Sequence, residues 1–136
     1  MANIGGLFNI NSFGKAGFEF AISNFDINTY SKIDKSNDLG YALKFNISQG
    51  LLNRDTARQQ FQIFANLKIA DKNFRAIENY NDIEFERNWN LPESINSWQE
   101  KYIDAGFSYF NKKLGYILGK TAYMTRQNNY KGQAAN

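Results

Sequence analysis

Residues 58–71, RQQFQIFANLKIAD, alternate apolar and polar side chains with a period of two. Phe61, Ile63, Ala65, Leu67 and Ile69 fall on one side, and Gln60, Gln62, Asn66 and Lys68 fall on the other. Successive side chains of a helix turn by about 100°, so this pattern would smear apolar groups around a helix. In a strand it sorts them cleanly onto two faces. Two further stretches repeat the pattern. GFEFAIS sets Phe18, Phe20 and Ile22 against Glu19, Ala21 and Ser23, and YALKFNIS sets Tyr41, Leu43, Phe45 and Ile47 against Ala42, Lys44, Asn46 and Ser48.

The rest of the chain follows suit. FDINTYSKI, FRAIENY and IEFERNWN read as strands, the last with Ile83, Phe85 and Trp89 opposite Glu84, Glu86 and Asn88. KYIDAGFSYF and LGYILGKTAYMTR form a long hairpin turning at Asn111, Lys112 and Lys113, and DKN at 71–73 makes a tight reversal. QGLLNRDTAR and LPESINSWQE break the rhythm as longer loops, the second with a helical turn around Ser94 to Gln99. No segment sustains a helical period. The expectation is an all-β, antiparallel meander of about eight long strands. Strands of nine residues or more, with Gly17, Gly106, Gly115 and Gly119 inside their patterns, favour a barrel or barrel-like curved sheet. Residues 1–136 form a single β-domain or a segment of a larger β-barrel protein.

Composition narrows the chemistry. The chain has no cysteine and no histidine, which removes thiol chemistry, the usual nucleophile–base pairing and the commonest metal ligand. No catalytic residue, metal or cofactor is expected. Lys and Arg exceed Asp and Glu by a net charge of +3, but they are interspersed with the acids, so nucleic acid is not an expected partner. No apolar run reaches the length of a membrane-spanning helix, and MANIGGLFNINSFG lacks the charged and apolar regions of a signal peptide.

Two sets of residues stand out. Glu19, Lys44, Gln62, Asn66, Lys68, Glu84 and Glu86 fall opposite the apolar positions and define a polar face, lining a lumen or a ligand site. Within it, Glu84 and Glu86 sit two residues apart, roughly 7 Å along a strand and compatible with a glycosidase pair. A solvated face with Arg75, Arg87 or Lys68 as cross-strand partners is the simpler account. Tyr80, Trp89, Trp98, Tyr102, Tyr116 and Tyr123 could stack on sugars, ring a membrane barrel at its interfaces, or fill a core.

FRAIENYNDIEFERNWNL, with the flanking SNFDINTYSKIDKSNDLGYALKFN and GYILGKTAYMTRQNNYKGQ, resembles segments of large outer-membrane or cell-surface β-barrel-type proteins of Bacteroidetes-like bacteria. There a strand of the form F-R-x-I-E precedes a turn and x-E-F-x-R-x-W-N. The resemblance implies an outer-membrane or surface location in a Gram-negative bacterium and a structural or transport-related role without catalysis. The chain is short for such a protein and lacks the terminal aromatic residue of a last barrel strand, so a segment is expected.

Three readings of the two faces stay open. The apolar face meets lipid while the polar face lines a lumen, with lipid and other strands of a parent protein as partners. Alternatively the apolar face is the core of a soluble, periplasmic module, or it lines a cavity for a small apolar ligand, with carbohydrate a further candidate. Arg87 beside Trp89 tolerates a membrane interface but not its middle. Mean hydropathy of −0.57 is polar, as a barrel with a wet interior permits.

Overall fold

The computed structural model describes residues 1–24, 39–53, 59–75, 85–89, 99–126 and 130–135. Within them the chain is all-β, with seven antiparallel strands in one sheet: β1 (Ala2–Asn11), β2 (Gly14–Asn24), β3 (Leu39–Asn53), β4 (Gln59–Ala70), β5 (Glu100–Asn111), β6 (Gly115–Arg126) and β7 (Tyr130–Ala135). Their spatial order is their sequence order, a pure meander. The sheet is not closed in the described residues: β1 and β7 are its two edges.

Five of these strands carry the expected alternation, and pairing keeps it in step. One rung runs Phe18, Phe45, Leu67, Ile103, Tyr123, and the rung beside it on the other face runs Glu19, Lys44, Lys68, Tyr102, Met124. Register is fixed because a slip of one residue would exchange the faces of a whole strand. A bulge at Gly50–Leu52 restores the phase of β3, so that Leu52 meets Phe61.

The edge strands were not expected. In β1 the pair Gly5–Gly6 and the inward Leu7 erase the alternation, and YKGQAA in β7 has none. Both are held by backbone pairing to a strongly patterned neighbour, β1 to β2 and β7 to β6. IEFERNWN is corrected in the other direction: Phe85–Asn88 is one turn of helix, α1, rather than strand. Phe85 and Trp89 are four residues apart, a spacing that suits a helix face as well as a strand face. Arg87, which broke the strand pattern, lies in its last turn and faces the negative end of the helix dipole. Residues 25–33, 76–80 and 83–84, also expected as strand, and the helical turn expected at 94–99 lie outside the described residues; Phe74 and Arg75, the start of FRAIENY, are irregular rather than strand, as is Gln99.

Short turns are set by side-chain acceptors. The Asn11 carboxamide oxygen accepts from the Phe13 amide at 2.8 Å, and Asn111 does the same for Lys113 at 2.8 Å. The Asn111 turn closes through Gly115, whose φ of 93° needs glycine. Asp71 repeats the device at the end of β4, with its carboxylate 3.3 Å from the Asn73 amide. The two ends of the sheet therefore differ. Residues 12–13, 54–58 and 112–114 link strands at one end; 25–38, 71–99 and 127–129 link them at the other.

Candidate functional site

Face identity follows from the rungs. The apolar face gathers Ile4, Phe8, Phe18, Phe20, Leu43, Phe45, Phe61, Ile63, Leu67, Ile69, Ile103, Phe107 and Ile117. Nothing among the described residues covers it. Ile4 is 65% exposed, Ile63 42%, Ile103 48% and Ile117 55%. An uncovered apolar surface of this extent is exceptional for a protein whose sheet meets water.

The polar face is the covered one. Its buried residues are Ala21, Ser23, Gly40 and Ala42 on β2 and β3, and Glu100, Tyr102, Asp104, Ala122, Met124 and Arg126 on β5 and β6. All of these lie toward the end with the long connections, and only Gly17, beneath Leu7 and Asn46, is buried on this face nearer the other end. The β4–β5 connection supplies cover at two points. After the Asp71 turn the backbone crosses β3, packing on Gly40 so closely that any side chain there would meet the Asn73–Phe74 peptide. It then donates the Arg75 amide to Ser23 Oγ at 3.0 Å. Further on, Trp89 stands edge-on to Tyr102, with ring centres 5.9 Å apart, and rests over Gly132, while the Tyr130 hydroxyl donates to the Trp89 carbonyl. Met124, fully buried, forms the floor.

Beneath that cover the charges are paired. Arg126 binds Glu100 through Nε at 3.3 Å and Nη2 at 2.9 Å, both side chains nearly dry. Asp104 accepts from Asn66 at 2.9 Å and faces Lys120 at 3.5 Å. Lys68 leans over the Tyr102 ring at 5.8 Å, a cation–π contact. Away from the cover, over β1 to β3, an open groove of about 560 Å³ is lined by Asn3, Leu7, Glu19, Lys44 and Asn46 above a floor that includes Gly5 and Gly17.

The structure thus brings Glu19, Lys44, Gln62, Asn66 and Lys68 to one face, as the alternation implied. Glu84 and the side chain of Glu86 lie outside the described residues, as do Tyr80 and Trp98. The aromatic set divides. Trp89 and Tyr102 pack together on the polar face, Tyr116 is on that face at the short-turn end, and Tyr123 points outward with the apolar residues. They form no single platform. Sequence reasoning passed over Glu100, Asp104, Lys120 and Arg126, whose pairing depends on register across β5 and β6; their placement opposite Ile103, Tyr123 and Thr125 was the available signal. Among the described residues no three His, Cys, Asp or Glu side chains could hold a metal ion. No helix there is long and apolar enough to cross a membrane, which says nothing about crossing by strands. No protein-family model matches the chain, and no curated protein or solved structure is similar to it.

Proposed function

We propose that this chain is a stretch of the wall of an outer-membrane or cell-surface β-barrel protein of a Gram-negative bacterium, with a structural or transport-related and non-catalytic role. The observation that carries the reading is the inversion of burial: apolar side chains are bare, and paired charges are covered. Lipid is the solvent in which that arrangement is favourable, since outer-membrane strands alternate apolar-out with polar-in.

Three features support it. Strands of 10 to 15 residues in β1 to β6 reach the 9–11 residues that a tilted crossing needs. The two long connections, 25–38 and 71–99, leave the same end of the sheet, and no link at the other end is as long, which matches the asymmetry of such barrels. The apolar band also runs obliquely to the rungs. Its centre lies at Glu19 on β2, whose rung leads to Met124 on β6, whereas on β6 the band centres on Lys120. Four residues of rise, about 13 Å, over four strand spacings, about 19 Å, give a slope of roughly 35°. Barrel strands tilt by roughly 35–45°.

Strand parity supports a larger wall. With seven strands alternating in direction, β1 and β7 run the same way, so an antiparallel closure calls for further strands between them, from a parent protein.

The test is reconstitution. The chain is free of cysteine, so single cysteines at Ile63 or Ala105 report the apolar face alone. In phosphatidylcholine vesicles both should resist a water-soluble maleimide that labels Gln62→Cys. A chain that folds fully as a monomer in plain buffer, with Ile63→Cys as reactive as Gln62→Cys in vesicles, overturns the proposal. The groove over Gly5 and Gly17 favours a second reading, a soluble or periplasmic module for carbohydrate, because amide, carboxylate and ammonium groups beside Leu7 suit a sugar's hydroxyls and its apolar face.

A further inference from the structure

The apolar face carries very few charges, and their placement is ordered. Glu19, Glu100 and Asp104, the carboxylates of the described strands, all sit on the polar face, as do Lys15, Lys44, Lys68, Lys120 and Arg126. On the outward face of the described strands the charged residues are Lys101 and Lys131. They belong to one rung, Ile69–Lys101–Thr125–Lys131, and both are exposed. Neither has an acidic partner within reach among the described residues. Lys101 lies immediately beyond Ile103, where the apolar band of β5 ends, and Thr125 lies beyond Tyr123 in the same way on β6. At the short-turn end the corresponding outward positions are uncharged: Asn11, Gly14, Gln49, Gln59, Asn111 and Gly115.

We propose that Lys101 and Lys131, with the Thr125 hydroxyl between them, bind the phosphate of anionic lipid headgroups at the long-connection edge of the apolar band. The inference rests on the membrane reading and adds a lipid class to it. A lysine on a lipid-facing strand is strongly disfavoured at mid-membrane and tolerated near the interface, so the pair marks headgroup depth. Two strand spacings put their backbones about 10 Å apart. Flexible four-carbon stems let both ammonium groups converge on one phosphate or take two adjacent ones. With every carboxylate of the described strands facing inward, no acidic group among the described residues competes for them on this surface.

The test compares partition of the folded chain into vesicles of phosphatidylcholine alone and of phosphatidylcholine with phosphatidylglycerol, at low and high salt. Wild-type protein should prefer the anionic vesicles, and the preference should fall about fivefold for Lys101→Gln or Lys131→Gln and roughly thirtyfold for both together. Lys44→Gln, on the polar face, should leave it unchanged. A double variant with the wild-type preference, while insertion into neutral vesicles persists, overturns this inference alone. Insertion into neither vesicle overturns the membrane reading and this inference with it. Abolition of the preference by millimolar inorganic phosphate at constant ionic strength would reassign the lysines to free phosphate and overturn the lipid assignment.

Discussion

Tyr102 and Ile103 are neighbours in β5, as are Met124 and Tyr123 in β6, yet their surroundings are reversed. Tyr102 and Met124 face the polar side and are 9% and 0% exposed; Ile103 and Tyr123 face the apolar side and are 48% and 37% exposed. In a sheet that folds in water the apolar side would be the buried one. Here the dry side holds Glu100 paired with Arg126, and Asp104 paired with Asn66 and Lys120, while among the described residues the phenylalanines of the other side touch rings of their own face and no element covers them. A sheet can therefore read as ordinary in its alternation and still be built inside out. Only the question of which face the chain itself covers separates the two cases.

The largest effect should come from breaking the paired side. Arg126→Ala strips the Nε and Nη2 donors from the buried Glu100 carboxylate and should cost up to about 3–5 kcal/mol of stability in detergent micelles, read from the shift in denaturant midpoint. A loss below about 1 kcal/mol would mean that the Arg126 contact matters little to the covered side, and the contrast between the faces would shrink. Next, Ile63→Lys should cost about 2–4 kcal/mol in lipid, whereas Gln62→Lys, one residue away on the other face, should change little. Equal costs would remove the distinction. Gly106→Ala sharpens the comparison within β5: its added methyl would lie 2.4 Å from the Gly119 carbonyl and 2.7 Å from the Phe64 ring. Because the first of these is backbone, a loss of about 1–3 kcal/mol is expected by the same midpoint measurement. The smallest effect belongs to the open half of the polar face, where Lys44→Ala should stay within about 0.5 kcal/mol.

Legibility in the sequence followed the strength of local pattern. The faces of β2 to β5 could be read because their alternation is nearly unbroken and register has one sensible phase. Turn positions were legible at Asn111 and Asp71, whose side chains cap their own reversals. The edge strands were not, since β1 and β7 take their conformation from a neighbour's exposed hydrogen-bonding groups rather than from their own residues. Misreading 85–88 has a different origin: a spacing of four fits both periods, and no local feature outweighed the alternation around it. Of the candidate site, membership of the polar face was legible, but the Glu100–Arg126 and Asp104–Lys120 pairs were not, because they join residues about 16 to 26 positions apart. The seat of Trp89 over Gly132 is a tertiary contact that no local pattern encodes.

A sheet whose strands pair only with their sequence neighbours assembles from local contacts and can lengthen from any hairpin. The β4–β5 connection is part of that order, since its Asp71–Arg75 portion is anchored to β2 and β3 and Trp89 is seated on β5 and β7. Among the described residues its contacts reach no farther than the strands two places away on either side in the sheet order. Its anchors then lie on strands that are neighbours in sequence or joined through β6. The cover of the polar face is thus built from the same local pairings as the sheet itself.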